Sequence, residues 1–177
     1  MTGSDDDDFD KEMEAWARER GLLPDDYEPY VLTVADRIWN RACAGEAVAG
    51  ERVGDQALRI AVTFDGMANN GGVHHAIEAM TEAELEAVVD GYTRFGLEGY
   101  VELIRRVSPG GDLAIDMAAI YDGELTEQEL NDRGELEVRA DALFAELEEK
   151  RSLRAAFEAH YAKHPVDYAP LDDEARP

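Results

Sequence analysis

An all-α fold is predicted: a single-domain orthogonal multi-helix bundle of about eight or nine helices. Three observations predict it. Apolar residues recur at three- and four-residue spacing along most of the chain. No segment alternates as a half-buried strand does, and Val, Ile and Thr do not cluster in short runs. Gly, Pro and Asn interrupt the helical pattern at intervals of ordinary helix length.

The chain has 177 residues, which suits one domain; a chain of that size buries roughly 70% of its unfolded surface. Asp and Glu number 41 against 17 Lys and Arg, a formal net charge of −24. Such a surface repels nucleic acid and anionic membranes and attracts basic partners. Acidity with few apolar residues would suggest disorder, but 45% of the residues are hydrophobic and they are periodic. Cys43 is the only cysteine, so neither an intrachain disulfide nor a Cys-based metal motif is expected. The opening Met-Thr-Gly-Ser-Asp-Asp-Asp-Asp is the reverse of a basic leader, and no apolar run approaches a membrane span. A reducing cytoplasm is the expected compartment.

Residues 1–8 read as an acidic, disordered tail, and residues 9–165 as one helical domain. Asp5 to Asp8 precede a helical pattern of Phe9, Met13, Trp16 and Ala17, where carboxylates favour the positive end of the helix dipole. Gly21 and Pro24 break the chain. Tyr27 and Tyr30 stand at the entrance of a stripe of Val31, Val34, Ala35, Ile38, Trp39 and Ala42, and read as packing residues. After a loop from Gly45 to Gly54, Asp55 is placed to cap a helix running to Ala68.

Asn69-Asn70-Gly71-Gly72 then interrupts two well-patterned helical segments. Ala57, Ile60, Ala61, Phe64, Met67 and Ala68 recur before it; Val73, Ala76, Ile77 and Met80 recur after it. Gly takes positive φ without a Cβ penalty and Asn tolerates it better than most residues. The stretch reads as a helix stop, a reversal and a fresh start.

Thr81-Glu82-Ala83-Glu84 has capping-box spacing, followed by Leu85, Val88, Val89 and Tyr92. Leu97, Tyr100, Val101, Ile104 and Val107 form the next stripe, stopped by Ser108-Pro109-Gly110-Gly111. A short apolar segment spans Leu113 to Tyr121. Thr126-Glu127-Gln128-Glu129 is a second capping box. Leu136, Ala140, Leu143, Phe144 and Leu147 hold the period through a strongly acidic helix. Leu153, Ala156, Phe157, His160 and Tyr161 close the pattern before Pro165, and residues 166–177 read as a tail.

Catalysis finds no support. Ser4, Ser108 and Ser152 lack the strand-to-helix elbow of a nucleophile, and Cys43 has no activating His nearby in sequence. Gly110-Gly111 lacks the strand before and the Lys-Ser or Lys-Thr after that a phosphate loop needs. His74 and Glu78 are four apart beside His75, but a metal site needs three or four ligands. His160 and His164 sit at a helix C-terminus, where the dipole alone accounts for them. Neither metal nor cofactor is expected, and the roles of His74, His75 and residues 1–54 stay open.

What stands out is a run of carboxylates: Asp122, Glu124, Glu127, Glu129, Asp132, Glu135, Glu137, Asp141, Glu146, Glu148 and Glu149, against Arg133 and Arg139. Like charges three or four apart on a helix cost a few tenths of a kcal/mol per pair. A fold that tolerates them gains a surface able to fill the Lys/Arg groove of a DNA-binding protein. Solvated surface is the ordinary reading of such residues, and salt adaptation a second. Three lysines against fourteen arginines do not separate these readings.

Asn69-Asn70-Gly71-Gly72 between two helices resembles the Asn-Gly-Gly signature of the DNA mimic protein 19-like domain family, acidic and mostly helical bacterial proteins. The resemblance continues through residues 87–97 (Ala-Val-Val-Asp-Gly-Tyr-Thr-Arg-Phe-Gly-Leu) and Tyr100 to Ile104. It resumes at Asp141-Ala142-Leu143-Phe144 and at Phe157-Glu158-Ala159-His160-Tyr161. It covers about residues 55 to 165. Where the family carries an aromatic residue after Gly-Gly, then a Gln and further aromatics, this chain has Val73, His75, Ala76 and Ile77.

The resemblance implies a protein that binds a basic DNA-binding protein, a transcription regulator or a nuclease-like partner, and blocks its DNA site. On this reading the eleven carboxylates form the contact face, and Asn69, Asn70, Gly71 and Gly72 are architectural. The chain itself touches neither nucleic acid nor membrane, and a homodimer stays open. The alternative is an immunity- or antitoxin-like protein that neutralises one toxin with a basic cleft.

Overall fold

In a computed structural model, residues 13, 15–22, 31–45, 47–115 and 126–171 are described. Contacts divide the chain into two units, Met1–Leu32 and Thr33–Pro177, so the division falls inside the stretch expected as one domain. In the first unit, residues 15–19 are helical and the Arg20 guanidinium lies 4.3 Å from the centre of the Trp16 ring. The expected tail at residues 1–8, Tyr27 and Tyr30 lie outside the described residues.

The second unit is all-helical among its described residues. It holds α1 (Val34–Cys43), α2 (Val53–Gly71), α3 (Val73–Ala79), α4 (Glu82–Arg94), α5 (Glu98–Val107), α6 (Glu127–Lys150) and α7 (Leu153–Tyr161), then a 3-10 turn, Pro165–Asp167. The expected eight or nine helices are thus seven and a 3-10 turn in this unit. Both expected capping boxes form: Thr81 with Glu84 and Thr126 with Glu129. A third, Thr33 with Asp36, starts α1.

Helix α2 is central, packing against α1, α3, α4 and α7. Its fully buried residues, Leu58, Ala61 and Phe64, lie three apart along one side, as a 3.6-residue turn requires. A run of aromatic contacts leads from it through three further helices. Phe64 meets Tyr92 edge-on at 6.0 Å, Tyr92 stacks on Tyr100 at 4.9 Å, and Tyr100 meets Phe144 edge-on at 5.6 Å. Offset and edge-on pairs are the favoured geometries of ring quadrupoles, so the contacts add to area burial. A Cβ on Gly91 would stand 2.9 Å from the Ala57 carbonyl oxygen; the missing side chain lets α4 approach α2 this closely.

Two boundaries differ from expectation. Helix α2 runs to Gly71 rather than Ala68. Asn69 and Asn70 stay helical, the backbone bonding continuing to the Gly72 N–H on the Ala68 carbonyl at 2.9 Å. Their side-chain amides also donate to the Asp65 and Gly66 carbonyls at 2.9 and 2.7 Å. Asp55 is not the cap residue but the third helical residue, where its carboxylate accepts the Arg52 N–H at 3.0 Å.

The stretch expected to be a tail from residue 166 is packed as far as Leu171. Tyr168, Ala169 and Leu171 are buried, and the Tyr168 ring meets Phe157 and Tyr161. Charged groups from the end of α1 and the start of α2 hold this stretch down. Asp55 accepts the Ala169 N–H at 2.7 Å and pairs with Arg41 at 2.5 Å. Arg41 donates to the Ala169 carbonyl at 3.2 Å, and Arg52 to those of Val166 and Tyr168 at 2.9 and 3.1 Å. No hydrophobic spacing marks such a clasp, because it joins charged side chains to backbone groups more than a hundred residues away.

Candidate functional site

The glycine turn and the acidic helix form one arrangement. Gly72 ends α2 and starts α3 with φ +89° and ψ 162°, an extended positive-φ conformation that is nearly confined to glycine and costs a side-chain-bearing residue roughly 1–3 kcal/mol. Gly71 before it remains helical. The turn leaves the first N–H groups of α3 without helical partners, and Asp141 of α6 supplies one: its carboxylate accepts the Val73 N–H at 2.9 Å. A Cβ on Gly72 would stand 3.1 Å from both oxygens of that carboxylate. The second glycine therefore serves the backbone angle and the approach of Asp141 together.

Helix α6 turns Ala140 and Phe144 into the core, and the eleven expected carboxylates separate accordingly. Asp122 and Glu124 lie outside the described residues. Glu137, Asp141 and Glu148 form a line on one flank; Asp141 and Glu148 have partners on other helices, whereas Glu137 pairs with Arg133 of α6 itself. Arg133 donates to Glu137 at 2.8 Å, Val73 to Asp141, and the Tyr100 hydroxyl to Glu148 at 2.5 Å. Glu129 is exposed but occupied with the Thr126 cap, whose N–H and hydroxyl hold its carboxyl below the usual pKa. Asp132 accepts from Gln128 at 2.8 Å, and Glu146 from Lys150 at 2.6 Å, which lowers its pKa.

Glu127, Glu135 and Glu149 remain. All three are exposed, and none is in an ion pair among the described residues. At 100° per residue they fall within roughly 80° of one another on the side of α6 away from Ala140 and Phe144. Six of the nine described carboxylates thus form two rows. From the inner one Asp141 and Glu148 bind other helices, and the outer one faces solvent. Glu129, Asp132 and Glu146 hold local partners.

Beneath α6 lies a polar cluster that the sequence did not announce. The Asp65 Oδ1 atom and the Tyr92 hydroxyl are buried with no hydrogen-bond partner among the described residues. Burial, reinforced by the nearby Glu148 carboxylate, pushes the Asp65 carboxyl up to about 7. Burial likewise raises the Tyr92 and Tyr100 hydroxyls above the ordinary tyrosine value, with help from Asp65 and Glu148.

The candidate ligands named from sequence go elsewhere. The buried His74 ring donates from Nε2 to the Leu113 carbonyl at 2.8 Å, while His75 and Glu78 are exposed. Among the described residues no three His, Cys, Asp or Glu side chains gather to hold a metal ion. His160 is a packing residue rather than a cation serving the helix dipole. Its Nδ1 meets the Tyr168 hydroxyl at 3.0 Å, and burial followed by the neighbouring His164 lowers its pKa. Burial raises the Cys43 thiol, the reverse of what activates a nucleophile.

Residues 53–169 match the family described as DMP19-like protein. The chain belongs to that family. No curated protein and no solved structure matches the chain. The family stretch begins at the first residue of α2 and ends at Ala169, whose N–H bonds to Asp55. Its two ends therefore meet in space, and the matched segment closes on itself. The glycine turn, α6 and the aromatic contacts from Phe64 to Phe144 all lie inside it. Among the described residues no helix is long and apolar enough to cross a membrane.

Proposed function

We propose that this DMP19-like protein is a non-enzymatic DNA mimic: it docks the outward carboxylates of α6 on the Lys/Arg surface of a DNA-binding protein and keeps DNA off that surface. The observation that carries the reading is the outer row of Glu127, Glu135 and Glu149, exposed on a single helix and without ion-pair partners among the described residues. At 1.5 Å per residue the 24 residues of α6 extend roughly 36 Å, close to one turn of B-DNA at about 34 Å. A net charge of −24 supplies the long-range field that steers a basic partner toward it. In this reading the inner row holds the helix in place and makes no contact with the partner, and the setting is the cytoplasm.

The test is a low-salt pull-down from native lysate, followed by displacement of the captured protein from its own DNA. The expected result is one dominant DNA-binding protein, released from DNA by the native chain and not by the E127K/E135K/E149K variant. A broad set of basic proteins that all leave at low salt would sink the proposal. A toxin as sole partner would replace it with a neutralising role.

A further inference from the structure

Helices α3, α4 and α5 and residues 108–115 enclose an open groove of about 1290 Å³, more than the roughly 300–1,000 Å³ of an ordinary small-molecule pocket. Its walls include Ile77, Met80, Leu85, Val89, Ile104 and Val107. Ile77, Leu85 and Val89 are only partly buried, although they lie at helical spacing on well-formed helices. Four carboxylates also line it: Glu78 on α3, then Glu82, Glu86 and Asp90 at successive i+4 positions on α4. All four are exposed and none is in an ion pair among the described residues. Among the described lining residues Arg105 is the one Lys or Arg.

Like charges at i, i+4 destabilise a helix slightly, so the row does nothing for α4 by itself. Apolar walls beside a row of unpaired carboxylates match one kind of occupant. An amphipathic helix about 10–12 Å across presents apolar anchors at i, i+3, i+4 and i+7 and carries its cations on the flanks. A second copy of this chain fits poorly, because its own surface is acidic and would face this row with like charge; an anionic membrane and DNA fail for the same reason. We propose that the groove docks a Lys/Arg-bearing amphipathic helix of a partner protein, apolar side inward and cations along Glu78, Glu82, Glu86 and Asp90. The site is separate from the outer row of α6 and does not depend on the DNA-mimic reading.

The test uses the full chain and a fluorescent peptide of Leu and Lys patterned at the helical period, with a scrambled peptide of the same composition as control. Anisotropy at physiological salt is expected to give binding at least about tenfold tighter for the patterned peptide. The E82K/E86K/D90K variant, its helicity checked by circular dichroism, is expected to lose about tenfold or more, while E127K/E135K/E149K stays within about threefold of the native chain. Methyl NMR signals of Ile77, Leu85, Val89 and Ile104 should move on binding. If the triple reversal does not fold, E86Q/D90N takes its place, with an expected loss of about threefold or more.

Equal binding of the scrambled peptide would overturn the proposal, as would unchanged affinity in the folded groove variants. A loss confined to the α6 variant would place the peptide on α6 instead. Self-association of the native chain that E82K/E86K/D90K abolishes would make the groove a contact between copies.

Discussion

The Asp141 carboxylate caps α3 from another helix: it accepts the Val73 N–H at 2.9 Å across 68 positions of sequence. The same two oxygens stand 3.1 Å from where a Cβ on Gly72 would be. Cap, turn and acidic helix are therefore one mechanical unit, and a carboxylate that reads as contact surface is a structural member.

Asp141→Ala removes the cap and is expected to cost about 1 kcal/mol. Gly72→Ala forces a side chain into a positive-φ, extended conformation at roughly 1–3 kcal/mol and pushes Asp141 off the Val73 N–H. Because both changes break the same hydrogen bond, the double variant should lose less than the sum. Urea unfolding of the four chains measures this; strict additivity would mean that the turn and the cap are independent.

Asp55 joins Arg41, the Arg52 N–H and the Ala169 N–H. Asp55→Ala leaves a partly buried guanidinium and two N–H groups without their acceptor, so a loss of roughly 3–5 kcal/mol is expected. Limited proteolysis should then cut within residues 165–171 at protease levels that leave the native chain whole. Resistance equal to native would show that the aromatic contacts of Tyr168 suffice to hold that stretch.

Asp65 sets a pH dependence of unusual sign. Its carboxyl is pushed up to about 7 in the fold from 3.8, so between these values the folded chain binds more protons than the unfolded one. Stability from this group is present in acid and falls as pH rises through about 4 to 7, by an amount on the order of a few kcal/mol. Asp65→Asn is expected to flatten this slope, gaining stability at pH 8 and little at pH 4. Denaturation curves of both chains at several pH values decide it, and parallel slopes would refute it.

Docking through the outer row of α6 is expected to weaken steeply with added salt, because exposed charges are screened over about 10 Å at 0.1 M ionic strength. E127Q/E135Q/E149Q should lower both the affinity and the salt slope, while E137Q, on the inner row, should leave the slope alone. Titration of the captured partner at three salt concentrations separates the two rows. Equal effects from both would mean that net charge, not this face, does the binding.

Local spacing carried much of the architecture. The helical period of residues such as Phe64, Tyr92 and Phe144 required an all-α chain, since each apolar stripe has to be buried on one side of a helix. Capping boxes at Thr81 and Thr126 and a helix stop within residues 69–72 were readable because their bonds lie within a few residues, although the helix runs to Gly71 rather than Ala68. The same turn and stripes marked the family. Tertiary structure alone decided what the carboxylates do. Asp141 and Glu148 belong to the fold, and Glu127, Glu135 and Glu149 to the surface, although all five share one helix and one chemistry. The partners that separate them, Val73 and Tyr100, lie 68 and 48 residues away, and the Asp55–Ala169 bond spans 114. A carboxylate acquires its role from the donor that meets it, and which donor that is depends on how the helices pack.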